Sequence, residues 1–237
     1  MRASINDNGL YVKVRNKKKG CGMNRINREY IEEYLEELAN YPHSPVMEEM
    51  VAEARKEGLP ILREPVACFL RVLVQSSGAQ KALEVGTSIG YSTMVLLDSM
   101  GKEGKVVTIE VDEVVQAKAR EYFKKAGVSD RVTMFLGDAG EIIPFMDGEF
   151  DLIFLDGPKA QYLNYLSDCI RLLKTGGLLL CDDVLFYGMI ASDGLVQRRK
   201  ITIVKRMRKF LEAISTHPQL VTSVIPLGDG LSVSIKK

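Results

Sequence analysis

The sequence predicts an α/β protein: a doubly wound sheet of seven strands, mostly parallel, with an antiparallel hairpin at its C-terminal edge and helices ahead of it. Three observations predict it. Short unbroken apolar runs, such as Leu152-Ile153-Phe154-Leu155 and Leu178-Leu179-Leu180-Cys181, read as strands buried on both faces. From Ala82 onward these runs alternate with segments of helical period, the rhythm of parallel strands joined by crossover helices. Near the end, Gly228-Asp229-Gly230 divides two β-rich runs and reads as a tight hairpin.

Residues 1–22 are a polar tail ending in Lys17-Lys18-Lys19-Gly20-Cys21-Gly22. A disordered basic tail and a basic arm for nucleic acid both suit it. A third reading is favoured: Lys codons are A-rich and Gly codons begin GG, so the run is a ribosome-binding site translated from a mis-assigned start, and Met23 is the true first residue. An intact mass beginning at Met1 in the natively expressed protein would end that reading. Residues 23–237 then form one domain with a helical cap over 23–78. In the cap, Asn27 to Leu38 is helical, with an Ile31, Leu35 and Leu38 stripe and Glu32, Glu33, Glu36 and Glu37 facing out. Val46 to Glu57 is a helix stopped by Gly58 and Pro60, and Pro65 to Gln75 a third.

The alternating region follows. Strands are expected at 82–85, 106–109, 132–136, 151–155 and 178–181, with helices at 92–100, 113–126 and 161–173. A basic helix with Arg198, Arg199, Lys200, Lys205, Arg206, Arg208 and Lys209 carries an apolar side of Val204, Met207, Leu211 and Ile214. The hairpin strands are 221–227 and 231–235. No internal repeat or low-complexity segment is present.

Composition narrows the class. With 46% hydrophobic residues the chain can bury a full core without disulfides. The net charge of +1 announces no polyanion binder by itself, although a local basic stretch can still serve as one. Cys21, Cys68, Cys169 and Cys181 form no CxxC pair, and read as reduced thiols of a cytoplasmic protein. No apolar run reaches transmembrane length and no signal-peptide pattern is seen, so a soluble intracellular protein is expected, with no membrane partner.

In an open α/β sheet, ligands bind outside the carboxyl ends of the strands. The first such end is Glu84-Val85-Gly86-Thr87-Ser88-Ile89-Gly90-Tyr91-Ser92, a glycine-rich turn whose Gly86 and Gly90 let the backbone pass close to a ligand. Its G-x-x-x-G spacing is not the G-x-G-x-x-G of a pyrophosphate site, and alone it is only a turn. Glu110 ends the next strand, where a carboxylate can accept from both hydroxyls of a ribose. Asp138, in Gly137-Asp138-Ala139, can accept from an adenine amino group or simply shape a turn. Asp156 ends the fourth strand, and Asp182 and Asp183 the fifth. If those strands are neighbours, three carboxylates converge and repel unless a cation lies between them. Hard oxygen donors suit Mg²⁺ first, with Mn²⁺ or Ca²⁺ as alternatives.

On these residues the chain resembles the class I methyltransferases, with their Rossmann-like fold, and within them the catechol and caffeoyl-CoA O-methyltransferase group. Glu84-Val85-Gly86 followed by Gly90-Tyr91-Ser92 matches that group's methyl-donor loop, and Asp156-Gly157-Pro158-Lys159 its Asp-x-x-Lys motif. The resemblance implies that Glu84 and Ser92 hold the methionine part of S-adenosylmethionine, that Glu110 holds the ribose, and that Asp138 and Ala139 border the adenine. Leu62, Gly86, Ser88 and Asp156 complete the implied donor site. It implies a metal held by Asp156, Asp182 and Asp183 that acidifies an acceptor hydroxyl of pKa about 10. Lys159 is the implied base, its pKa lowered by the cation. Animal and plant members usually carry Asp-Asn where this chain has Asp182-Asp183, so the role of Asp183 is carried over less directly. His43 and His217 lie outside these motifs and are assigned no role.

The acceptor is less decided. Asp-Asp-Val-Leu-Phe, Arg-Arg-Lys before the last long helix and Gly-Asp-Gly-Leu near the end resemble the bacterial branch that methylates 5-hydroxyuridine in the tRNA anticodon. That resemblance implies tRNA as partner and 5-methoxyuridine as product, and makes the basic helix a phosphate-binding surface. The alternatives are a small catechol or caffeoyl-CoA-type acceptor, with the helix's basic face merely solvated, or a non-catalytic donor-binding subunit. The group also implies a homodimer through the N-terminal helices.

Overall fold

The computed structural model describes residues 26–39 and 41–237, and the backbone of two short strands, β1 (Ser4–Ile5) and β2 (Tyr11–Val12), which pair antiparallel. The expectations for the rest of residues 1–22, including Cys21 and the start at Met23, lie outside the described residues.

Three helices precede the main sheet: α1 (Glu29–Leu38), α2 (Pro45–Glu57) and α3 (Glu64–Ser77). Helix α2 begins where the Ser44 hydroxyl accepts from the Met47 N–H at 3.3 Å and ends at a left-handed Gly58, as its sequence signals require. Helix α1 departs from expectation. Glu32, expected to face solvent, is buried, while Ile31 and Leu38 are exposed. The helix is turned so that Glu32 accepts from Asn27 at 2.8 Å and Arg63 at 3.5 Å. Tyr30, Tyr34 and Leu38 are left on the open side.

Alternation then proceeds as expected: β3 (Lys81–Val85), α4 (Tyr91–Met100), β4 (Lys105–Glu110), α5 (Glu113–Lys125), β5 (Val132–Leu136), the short α6 (Ala139–Ile142), β6 (Phe150–Leu155), α7 (Tyr162–Leu172), β7 (Leu173–Cys181), α8 (Ile201–Thr216), β8 (Leu220–Ile225) and β9 (Leu231–Lys236). The sheet has seven strands in the order β5-β4-β3-β6-β7-β9-β8. The first five in that order run parallel, and β9 and β8 pair antiparallel at the edge. Both faces are covered, and β6 shows how: Leu152 and Phe154 pack towards α2, α3 and α4, while Ile153 and Leu155 pack towards α7 and α8. Each fully buried side chain of this kind stabilises the fold by about 1.5–3 kcal/mol. In α8 the buried stripe is Val204, Met207, Phe210 and Ile214, so Phe210 takes the core position expected of Leu211. Cys169 and Cys181 are buried, and Cys68, Cys169 and Cys181 are all free thiols.

The chain leaves β3 towards β4 and β5 on one side, then returns to β6 on the other. The crevice between the carboxyl ends of β3 and β6 is therefore the topological switch point, the place such sheets bind ligands.

Candidate active site

A cavity of about 660 Å³ opens at that crevice. Of the residues singled out by sequence, Leu62, Gly86, Ser88, Ser92, Glu110, Asp138, Ala139, Asp156, Lys159, Asp182 and Asp183 all line it. Glu84 does not. It is fully buried beneath the floor, where one carboxylate oxygen accepts from the Thr93 and Thr108 hydroxyls. Its other oxygen has no hydrogen-bond partner among the described residues. Burial pushes its pKa up to about 7.

The glycine turn is shaped by packing as much as by any ligand. Gly86 has φ +100°, and a Cβ there would lie 2.4 Å from the Asp156 carbonyl oxygen. Gly90 has φ +91°, and a Cβ would lie 2.6 Å from the Phe123 ring. So Gly86 lets the β3 and β6 ends meet, and Gly90 seats α4 against α5. Ser88 is left-handed at φ +48°. Its N–H donates to Glu110 at 2.8 Å and its hydroxyl to the Pro60 carbonyl at 3.1 Å. The other Glu110 oxygen accepts from the Val111 and Asp112 N–H groups at 2.8 and 3.0 Å. These bonds fix the carboxylate at the cavity wall and leave lone pairs for further donors. Asp138 caps α6, accepting from the Gly140 N–H at 2.6 Å.

At the other end, β6 and β7 are parallel neighbours with Leu155 opposite Cys181, which brings Asp156 beside Asp182 and Asp183. The Lys159 ammonium lies 2.8 Å from Asp183 and 3.5 Å from Asp156. Burial works against that ammonium, but Asp156 and Asp183 outweigh it and its pKa is pushed up to about 12. The lowering expected of Lys159 depends on a bound cation; with Asp156 and Asp183 alone around it, Nζ is held as an ammonium. Burial, opposed by Lys159 and reinforced by Asp183, pushes Asp156 up to about 6. Burial and the charges of Asp156 and Asp183 hold Asp182 well above the usual carboxylate range. Among the described residues no three acidic, histidine or cysteine side chains are grouped as a metal ion would need. Lys159 stands between two of the expected ligands instead. The carboxylate oxygens themselves are hard donors, the kind a divalent cation takes.

Sequence reasoning missed two features of the rim. The Tyr91 hydroxyl donates to Glu64 and meets His43 Nε2 at 3.1 Å, tying α4 to α3 and to the loop before α2. His43 carried no motif that could have announced this. Tyr187 and Asp229 also line the cavity. Only the turn signal at Asp229 was visible, as a hairpin.

A parallel sheet with this switch-point cavity, a glycine turn, an acid at the end of the second main-sheet parallel strand and an acid–lysine cluster at the fourth and fifth defines a class I methyltransferase. The model of the O-methyltransferase family matches residues 36–237, and the chain belongs to that family. It is similar to the caffeoyl-CoA O-methyltransferase of Populus kitakamiensis, at 28% identity over 88% of this chain and 94% of that one. It is similar at 26% identity to a catechol O-methyltransferase of Niastella koreensis, over 91% of this chain and 100% of that one. The O-methyltransferase from Bacillus cereus, solved in complex with S-adenosylhomocysteine, superposes with a TM-score of 0.77 at 26% identity, covering 88% of this chain and 97% of that one. The chain is an S-adenosylmethionine-dependent O-methyltransferase. Among the described residues no helix is long and apolar enough to cross a membrane.

Proposed function

We propose that the chain methylates a ring hydroxyl of a small hydroxylated aromatic, of the catechol or caffeoyl-CoA kind, with the help of a divalent ion, Mg²⁺ first. The observation that carries this is Lys159, standing among Asp156, Asp182 and Asp183 at one end of the cavity whose other end holds Glu110 and Asp138. Glu110 accepts from the ribose of the donor, Asp138 and Ala139 border its adenine, and Ser92 and Leu62 hold its methionine part with Glu84 behind. A divalent ion would be held by Asp156, Asp182 and Asp183 and would supply the Lewis acidity that lowers a phenol's pKa. Lys159, relieved of its carboxylate partners, takes the acceptor's proton at Nζ. The acceptor oxygen then bonds to the methyl carbon as the carbon–sulfur bond breaks, leaving S-adenosylhomocysteine. The relatives named for small acceptors support this choice.

A second reading, 5-hydroxyuridine in the tRNA anticodon, is favoured by one observation. Arg198, Arg199, Lys205, Arg206 and Lys209 are exposed, and Arg206 donates to the Ala160 carbonyl at 3.2 Å, next to Lys159. The basic cluster is smaller than its sequence suggests. Arg208 is spent on the Met189 and Ile190 carbonyls and Asp193, and Lys200 lies over the Phe186 ring. The test is purified protein with labelled S-adenosylmethionine and Mg²⁺, offered catechol, caffeoyl-CoA, or total tRNA from a strain lacking the modification, each with an EDTA control. Metal-dependent label in a small acceptor supports the first reading, and label in 5-methoxyuridine replaces it with the second. No label in any of them overturns both.

A further inference from the structure

Among the described residues four non-glycine positions have left-handed φ, and three of them, Asp183, Phe186 and Tyr187, fall within five residues beside the acid–lysine cluster. An L side chain avoids that region, so such a turn persists only where its surroundings impose it. Here the β8–β9 turn imposes it. The Val184 N–H donates to the Gly230 carbonyl at 2.9 Å and the Leu185 N–H to the Asp229 carbonyl at 3.0 Å. The Tyr187 N–H, at φ +57°, donates to both Asp229 carboxylate oxygens, at 2.7 and 2.9 Å. Gly230 packs so closely on this segment that a Cβ there would lie 2.4 Å from Leu185 Cγ. Asp229 is 4% exposed, while Tyr187 is 43% exposed and lines the cavity together with Lys159 and Asp183.

We infer that the Tyr187 ring is the wall against which the acceptor ring lies, and that Asp229 is the positioning residue that holds it there through the strained turn. This rests on the reading that the acceptor enters beside Lys159. A flat, half-exposed ring suits a flat acceptor, which can stack on it or meet its edge. The ring's place is not set by its own backbone preference, which is the opposite of what is seen. It is set by a carboxylate forty-two residues away in sequence, both of whose oxygens accept from the Tyr187 N–H. Losing Asp229 relaxes the turn and moves the acceptor wall while the donor wall stays.

The experiment uses the full chain and whichever of catechol, caffeoyl-CoA or unmodified tRNA the wild type methylates. KM and kcat for that acceptor are measured beside S-adenosylhomocysteine affinity by calorimetry. Tyr187→Ala is expected to raise acceptor KM by about tenfold, the scale of one lost aromatic contact, and to leave S-adenosylhomocysteine affinity within about twofold. Tyr187→Phe stays near wild type. Asp229→Ala raises acceptor KM by a similar factor, Asp229→Asn by less because it keeps one acceptor oxygen, and the Tyr187→Ala/Asp229→Ala double variant is no worse than either alone. Additive losses, or equal losses for donor and acceptor, would overturn the inference. Should Asp229→Ala fail to fold, Asp229→Asn and the Tyr187 variants decide it alone. A wild type that methylates none of the acceptors overturns the acceptor reading and this inference together. A working wild type with Tyr187→Ala indistinguishable from it overturns this inference only.

Discussion

Gly86→Ala tests whether the switch-point crevice is the donor site and why its glycine is there. The new methyl group faces two penalties. At φ +100° an L side chain is strained, costing about 1–2 kcal/mol. The Cβ also lies 2.4 Å from the Asp156 carbonyl oxygen and 2.8 Å from its carbonyl carbon, so backbone must move. Overpacking of that kind costs about 1–3 kcal/mol, and the sum is about 2–5 kcal/mol. In a chain of this size that lowers Tm by roughly 4–20 °C. Gly127→Ala is the control. It too has a positive φ, +68°, but among the described residues nothing lies within 4 Å of its Cβ, so only the strain remains, roughly 2–8 °C. The two variants differ more in binding. Displacing Asp156 disturbs both donor and acceptor ends, and S-adenosylhomocysteine affinity should fall by at least about tenfold, or about 1.4 kcal/mol, for Gly86→Ala and not for Gly127→Ala. Thermal unfolding and calorimetry measure both quantities. Equal Tm losses with unchanged affinity in Gly86→Ala would refute the geometry on which the site is built.

Three further outcomes are expected. Lys159→Ala should cut kcat by about 10²–10⁴ while leaving S-adenosylhomocysteine affinity near wild type; an intact kcat would remove Lys159 from the chemistry. Dialysis against EDTA should abolish turnover and Mg²⁺ or Mn²⁺ should restore it, with Asp182→Ala needing far more metal; full activity after chelation would exclude a metal role for the three aspartates. Glu84→Gln should change how stability depends on pH. The folded Glu84 pKa of about 7 lies above its ordinary 4.5, so the folded state holds the extra proton between them. Its stabilising share is present below 4.5, is lost as pH rises to about 7, and amounts to up to about 3 kcal/mol. Glutamine keeps a carbonyl for Thr93 and Thr108 and does not titrate. Urea unfolding at pH 5 and pH 8 should therefore find the variant gaining on wild type at the higher pH, and parallel behaviour would show that Glu84 stays ionised.

Which parts of this molecule could be read in advance follows from how local their causes are. The inner parts of β6 and β7, residues 152–155 and 178–181, are unbroken apolar runs because both sheet faces are covered, so composition alone exposes them, and their pairing places Asp156 beside Asp182. Helix α1 could not be oriented that way. Its rotation is decided by one long-range pair, Glu32 with Arg63, which no periodicity records. The ion pairs of Lys159 are only half legible for a related reason: the spacing Asp156–Lys159 is visible, but Asp183 arrives from another strand. Asp229 is the sharpest case. A Gly-Asp-Gly turn explains its own composition by hairpin geometry, so the sequence offers no reason to ask what the carboxylate does. Only the folded arrangement brings it to the Tyr187 N–H. The donor site, built from residues that follow their own strands, is therefore legible from motif and spacing. The acceptor wall is built by a distant turn acting on a strained one, which is why the identity of the acceptor was the point at which sequence reading divided into two.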